Sequence, residues 1–141
     1  MIVLDTSVLY ALVDAADRRH REAVAWYDTT TDELVTTPLV LAEADHLIGA
    51  RGTAAALRAF RTDVRSGAYL VEWWPSAAAE AAEIADRYAD LGLGLTDASL
   101  VALAGRVGST AIATFDERHF RAVAPIAGGP AFRLLPLDAT R

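Results

Sequence analysis

Four acidic residues lie next to or within apolar segments, where an acidic side chain is unusual, namely Asp5, Glu43, Asp97 and Asp116. Asp5 follows the apolar run "MIVL", and Asp116 follows "TAIATF". Both runs predict buried parallel strands, and ligands of α/β proteins bind at the carboxyl ends of such strands. Each aspartate also has a structural interpretation, because Asp5 could cap the helix that follows it and Asp116 could be an ordinary turn residue.

Glu43 lies on a helix predicted over residues 38–50. Residues four apart share a helix face, so Glu43 lines up with Leu39 and Leu47. We expect Glu43 to lie inside an apolar arc, where an ionised carboxylate is costly unless it is paired, protonated or bound to a metal. The alternative is that Glu43 lies at the edge of the arc and reaches water.

Asp97 opens a nearly all-apolar helix predicted over residues 95–108, which we expect to be central. Thr96 is the predicted N-cap, and Asp97 favours the helix dipole, so this aspartate taken alone has an ordinary explanation. Glu117 follows Asp116 directly and is an alternative metal ligand.

The acids taken together predict a metal site. If the strands ending at Asp5 and Asp116 are neighbours, their carboxyl ends bring the acids together. Clustered carboxylates raise one another's pKa, and a divalent cation removes that cost. Oxygen ligands suit Mg²⁺ or Mn²⁺ rather than zinc, and such an ion can activate water for phosphodiester hydrolysis. We do not expect histidine ligands: His46 points away from the apolar arc, His20 lies in "RRHR", and His119 only follows the last aspartate.

The composition excludes other functions. The chain has no cysteine, which excludes disulfides, thiolate metal sites and cysteine nucleophiles. It has no lysine, which a response-regulator receiver requires. A haloacid-dehalogenase-like phosphatase has a second acid two residues after the first, but here that position is Ser7. A dinucleotide-binding enzyme has a glycine-rich turn after the first strand, and "LDTSVL" is not such a turn. The net charge of −6 argues mildly against a generic nucleic-acid binder, although bound divalent ions would offset part of it.

Alternating strand and helix patterns predict the fold. Strand patterns cover residues 1–5, 33–37, 69–74, 110–115 and 132–136. Helical patterns separate them, including one over 77–92 that Gly92 ends, and Pro136 favours an edge position for the last strand. This alternation predicts a single α/β domain over residues 1–141, with a central, mostly parallel sheet flanked by helices.

The segments "IVLDTSVLYALV", "TTPLVLAEADHLI", "GLTDASLVALA" and "IATFDERHF" resemble the four acidic blocks of the PIN domain. The closer resemblance is to the VapC toxins of bacterial toxin–antitoxin pairs, and it runs from Met1 to about Pro136. It implies a Mg²⁺- or Mn²⁺-dependent endoribonuclease. By this resemblance the metal-binding acids are Asp5, Glu43, Asp97 and Asp116, with Thr6 or Ser7 and Thr114 orienting ligands or water.

The resemblance also implies partners. VapC-like proteins usually form homodimers, are inhibited by a small cognate antitoxin, and cleave transfer RNA or the sarcin–ricin loop of ribosomal RNA. We therefore expect a cytoplasmic protein with RNA and antitoxin as partners and no membrane contact. The alternative from a different class is a catalytically inactive PIN-like domain that serves only as a binding or assembly module.

Arginines are the candidates for contacts with RNA or antitoxin. Arg51, Arg58 and Arg65 recur every seven residues, so they could share one helix face. Arg18 and Arg19 belong to a second basic cluster. For both clusters the simpler interpretation is a solvated surface, because charged helix faces are common.

Overall fold

The computed structural model describes residues 1–139 and contains one five-stranded sheet. The strands are β1 (Ile2–Leu4), β2 (Leu34–Thr36), β3 (Leu70–Val71), β4 (Ala111–Ala113) and β5 (Arg133–Leu135). Their order is β3-β2-β1-β4-β5, and every neighbouring pair is parallel. The predicted α/β class with a parallel sheet is therefore confirmed, and β5 lies at an edge as predicted. The strands β1 and β4 are neighbours, which is the condition for Asp5 and Asp116 to meet.

The helices are α1 (Thr6–Val13), α2 (His20–Thr29), α3 (Pro38–Arg51), α4 (Ala54–Ser66), α5 (Ala77–Arg87), α6 (Leu95–Val107) and the single turn α7 (Glu117–Phe120). Helix α1 packs against α2, α3 and α4, while α5 packs along α6 and α6 contacts β1. Within residues 1–139, no helix is long and apolar enough to cross a membrane.

The core is built around the middle of the sheet and helix α6. All three residues of β1 are buried, and so are seven consecutive residues of α6, from Ala98 to Ala104. A helix buried on all sides requires an apolar sequence all round, which is why its pattern lacks a polar stripe. The predicted central position of this helix is confirmed, and it places Asp97 at the boundary between the core and the sheet edge.

Two predicted boundaries and one predicted N-cap are wrong. The helix predicted over 77–92 ends as α5 at Arg87, and a separate 3₁₀ turn (Ala89–Leu91) runs up to Gly92. Gly92 has a φ of 72°, so a glycine is well suited to close this turn. The strand predicted over 69–74 is reduced to β3, because the chain leaves the sheet where Trp74 turns into the core and donates to Glu80 Oε2 at 2.6 Å.

The predicted N-cap of α6 is wrong, although the helix starts at the predicted residue. The helix begins at Leu95 with Gly94 as its N-cap, so Thr96 lies inside the first turn and does not cap it. The Thr96 side chain instead acts on Glu43, on the neighbouring helix α3, where it favours the ionised carboxylate and lowers its pKa. A side chain predicted to serve the helix backbone therefore serves the acidic cluster.

Candidate metal centre

Asp5 is the buried anchor of the acidic cluster. It follows β1, its side chain and backbone are only 5% exposed, and its N–H donates to Ala113 O at 3.0 Å. It stands at the N-cap of α1, but its carboxylate makes no cap bond. Asp5 Oδ2 instead accepts hydrogen bonds from Thr114 Oγ1 at 2.6 Å and Ser7 Oγ at 2.8 Å. The structural interpretation of Asp5 as a capping residue is therefore wrong.

Two backbone amides complete this arrangement. Phe115 N–H donates to Ser7 Oγ, and Asp116 N–H donates to Thr114 Oγ1, both at 2.9 Å. Each hydroxyl therefore accepts from the backbone after β4 and gives its one proton to Asp5. The Ser7 and Thr114 oxygens lie 3.3 Å apart, and both protons are already used. The orientation of Asp5 is set by two strand ends at once.

Glu43 faces the same cluster from α3. The core face of α3 is formed by Val40, Ala44 and Ile48, which are fully buried, whereas Glu43 is exposed. The prediction that Glu43 lies inside the apolar arc is wrong: it lies at the edge of the arc, and its Oε2 accepts from Thr6 Oγ1 at 3.3 Å. Desolvation and the charge of nearby Asp5 raise its pKa, against the hydrogen bonds from two threonine hydroxyls.

A buried pair of hydroxyls joins the helices that carry Glu43 and Asp97. Thr37, at the N-cap of α3, and Ser99, in α6, are both buried, and their hydroxyl oxygens lie 2.9 Å apart. Ser99 donates its proton to Thr96 O at 2.6 Å, so the Thr37 hydroxyl is the donor between the helices. The pair fixes the first turn of α6 against the start of α3.

Asp97, Asp116 and His119 form the other side of the cluster. Asp116 is the N-cap of α7, and its Oδ1 accepts from His119 N–H at 3.1 Å. His119 Nδ1 lies 2.7 Å from Asp116 Oδ2 and 3.6 Å from Asp97 Oδ2. Each of the three residues offers one possible metal-ligand atom, and these three atoms lie within 4.8 Å of one another.

His119 was not expected near the site from the sequence, but the structure places it beside Asp97 and Asp116. The available signal was its spacing: an N-cap aspartate followed three residues later by a histidine places the imidazole beside the carboxylate within one helical turn. Glu117, the alternative to Asp116, points elsewhere. It is exposed, and its Oε1 accepts from Arg121 Nε at 2.8 Å, so Asp116 is the member of the pair that joins the cluster.

The electrostatics of the cluster favour the binding of a cation. Burial, followed by the charges of Asp5 and Asp116, raises the pKa of Asp97 to about 7, and His119 opposes the shift. Burial also raises the pKa of Asp5, despite the hydrogen bonds from Thr114 and Ser7. The raised pKa values of Asp5, Glu43 and Asp97 fit a hard divalent ion, because the ion supplies the missing positive charge.

A cavity of about 410 Å³ opens above the acids, and its lining includes all four of them. Basic side chains line it as well, namely Arg18, Arg19 and Arg51. Arg19 lies over the Phe115 ring at 4.8 Å and pairs with Glu22 at 3.0 Å. The cavity is therefore lined by both carboxylates and three guanidinium groups. Such a lining suits an anion that contacts the guanidinium groups and is bridged to the carboxylates by a cation.

The predicted arginine face is wrong. Arg51 belongs to the last turn of α3, whereas Arg58 and Arg65 lie on α4, which begins only after the break at Gly52. Only Arg51 of these three lines the acidic cavity. Arg65 lines a separate groove with Leu41 and other residues of α3 and α4, and Arg58 is exposed.

Acidic side chains at the carboxyl ends of neighbouring parallel strands define an α/β protein with a candidate divalent-metal centre. The family model of the PIN domain matches residues 2–125. The chain is 37% identical over 136 residues to ribonuclease VapC26 of Mycobacterium tuberculosis, which covers 96% of this chain and 100% of that protein. The chain therefore belongs to the PIN-domain family and, within it, to the VapC ribonucleases.

Solved structures agree with this assignment. The crystal structure of Mycobacterium tuberculosis VapC20, a toxin that cleaves the sarcin–ricin loop, superposes with a TM-score of 0.81 at 25% identity, covering 92% of this chain and 100% of that chain. The FitAcB structure from Neisseria gonorrhoeae gives a TM-score of 0.59 at 21% identity, covering 83% and 88% of the two chains. The second likeness concerns the fold alone.

Proposed function

We propose that this protein is a Mg²⁺- or Mn²⁺-dependent endoribonuclease toxin that hydrolyses phosphodiester bonds in transfer or ribosomal RNA. The observation that carries the proposal is the convergence of Asp5, Glu43, Asp97 and Asp116 on one cavity at the carboxyl edge of the sheet. The similarity of the chain to ribonuclease VapC26 and to the sarcin–ricin-loop toxin VapC20 supports RNA as the substrate.

The four acids would hold the metal, which when bound neutralises phosphate oxygens and lowers the pKa of a coordinated water. The chain's own hydroxyls prepare the acids for this role. Ser7 and Thr114 fix the Asp5 carboxylate, and Thr6 holds Glu43 from the next residue along. Because these hydroxyls act on the acids, we propose them as positioning residues.

We propose that the arginines of the cavity bind RNA phosphates. Arg18, Arg19 and Arg51 line the cavity that holds the acids, so a phosphate at the metal site would lie between the acids and the guanidinium groups. Guanidinium groups present a planar fork of donors that suits phosphate oxygens. Of the arginines predicted from spacing, Arg51 is thus the one we assign to RNA.

We further propose a homodimer in the cytoplasm, inhibited by a cognate antitoxin, as the resemblance to VapC toxins implies. Arg58 and Arg65 lie on α4, outside the acidic cavity, and we propose them as antitoxin contacts. Charge reversal at both positions should weaken antitoxin binding, measured by titration calorimetry, while RNA cleavage by the free toxin is kept. Unchanged antitoxin affinity would remove these two arginines from the interface.

The test of the proposed activity is cleavage of total bacterial RNA by the purified protein, with Mg²⁺, with Mn²⁺ and with chelator. We expect discrete fragments only with metal, and none from Asp5→Asn. Asp86→Asn is the matched control, because Asp86 is an exposed acid on α5, away from the cavity. Metal-induced stabilisation without cleavage of any RNA would favour the alternative of an inactive binding module.

A further inference from the structure

We propose that His119 is a ligand of the same metal ion as Asp97 and Asp116, and that its nitrogen makes the site prefer Mn²⁺ over Mg²⁺. The inference rests on the proposed function, since it concerns the same site. It adds a residue and a metal preference that the four-acid description does not contain.

The geometry of the three side chains supports a shared ion. For metal–ligand distances of about 2.1 Å, adjacent ligand atoms of an octahedron lie about 3 Å apart. His119 Nδ1 lies 2.7 Å from Asp116 Oδ2 and 3.6 Å from Asp97 Oδ2, which brackets that separation. One ligand atom from each of the three side chains lies within 4.8 Å of the other two, which is close enough for the three to share one ion after local adjustment.

The ring is held in place by the short helix that carries it. Asp116 caps α7 by accepting from His119 N–H, and the neighbouring Phe120 is fully buried in the core. The next residue, Arg121, bonds both Glu117 and Asp138 across the turn, at 2.8 Å and 3.0 Å. The imidazole is itself mostly buried, with 19% of its side chain exposed, so it is presented to the carboxylates with little freedom lost on binding.

The chemistry of the donor atoms gives the preference. Mg²⁺ favours an oxygen shell and releases water reluctantly, whereas imidazole nitrogen suits transition metals. A neutral imidazole can present Nδ1 to the ion when its proton is on Nε2. A site of carboxylates plus one imidazole therefore gains more with Mn²⁺ than with Mg²⁺.

The competing explanation is that His119 only donates a hydrogen bond to Asp116. The variant His119→Asn separates the two roles, because the amide keeps an N–H near the position of Nδ1 but offers no imidazole nitrogen. His119→Ala removes both roles. His46→Ala is the matched control, because His46 is exposed on α3 and is not part of the group formed by Asp97, Asp116 and His119.

The experiment titrates Mn²⁺ and Mg²⁺ into the full chain by calorimetry and records pulsed EPR of bound Mn²⁺ for nitrogen coupling. We expect imidazole nitrogen coupling in the wild type and in His46→Ala, and none in His119→Ala or His119→Asn. The Mn²⁺ affinity should fall by about 10- to 100-fold in both His119 variants, a range that even outer-shell partners of metal ligands reach. The Mg²⁺ affinity should change much less.

Two results would overturn the inference while leaving the proposed nuclease intact. One is a wild type that binds Mn²⁺ without nitrogen coupling, and the other is a His119→Asn variant that keeps the wild-type ratio of Mn²⁺ to Mg²⁺ affinity. A wild type that binds neither ion would overturn the inference and the proposed function together, so the two failures are distinguishable.

Discussion

The two sides of the acidic cluster are built differently. The inner side, formed by Asp5, Ser7 and Thr114, is buried and is closed by hydroxyl and amide donors from two strand ends. The outer side, formed by Asp97, Asp116 and His119, is partly exposed and has one imidazole against two carboxylates. The fold therefore completes the inner side by itself, while the outer side keeps a charge imbalance that a cation would remove.

The largest expected effect comes from removing a charge on the outer side. Asp97→Asn should lower RNA cleavage by about a thousandfold, because several kcal/mol of stabilisation by the metal would be lost. Circular dichroism should show that the variant stays folded, since Asp97 is not part of the inner side. Single-turnover cleavage with saturating Mn²⁺ is the measurement, and a folded variant cleaving at the wild-type rate would remove Asp97 from the site.

The same residue should make the stability of the metal-free protein depend on pH. Its pKa rises from 3.8 to about 7 on folding, so between these values the folded state binds more protons than the unfolded state. Stability must then fall as pH rises from about 4 to about 7, by up to a few kcal/mol. Urea unfolding in chelator should show this slope.

Asp97→Asn should flatten that slope and make the metal-free protein more stable than the wild type at pH 8. Saturating Mn²⁺ should flatten it in the wild type as well, because a metal that binds the ionised carboxylate takes over its charge. A slope that Asp97→Asn leaves unchanged would mean that another group carries the imbalance.

A smaller effect is expected from breaking the inner side. Thr114 is fully buried, donates to Asp5 and accepts from Asp116 N–H. Thr114→Val keeps the shape but leaves both partners short of a hydrogen bond, which should cost about 1–3 kcal/mol of unfolding free energy. Thr114→Ser should restore most of it. Equal stabilities for the serine and valine variants in urea would show that the hydroxyl is not what holds the inner side together.

The smallest effect concerns the arginines, which belong to neither side. Arg51→Ala should weaken RNA binding a few-fold and reduce the slope of log affinity against log salt by about one unit, as expected for one phosphate contact. Arg87→Ala on the exposed end of α5 is the matched control. Filter binding with Asp5→Asn protein, which should not cleave, measures this. An unchanged salt slope would place Arg51 outside the RNA path.

The positions of the acids could be predicted from the sequence, whereas the long-range contacts that bring them together could not. Asp5 and Asp116 follow apolar runs, and that local pattern marks a strand end. The pairing of β1 with β4 joins Val3 to Ile112, and no local pattern contains such a long-range contact.

The errors have a common physical cause. Thr96 and Glu43 were each interpreted from their own helix, as a cap and as a core residue, but the Thr96 side chain lowers the pKa of Glu43 across the two helices. His119 was missed because its role depends on Asp97, from another helix, as well as on its neighbour Asp116. Helix periodicity predicts which face a residue occupies, whereas the site depends on which faces meet.

The most direct test of the central claim is an anomalous difference map from crystals of the protein soaked in Mn²⁺. We expect a strong peak in the acidic cavity, within coordination distance of Asp97 and Asp116 and adjacent to Asp5. A well-occupied Mn²⁺ peak elsewhere on the protein, with the acidic cavity left without metal at saturating concentration, would contradict it.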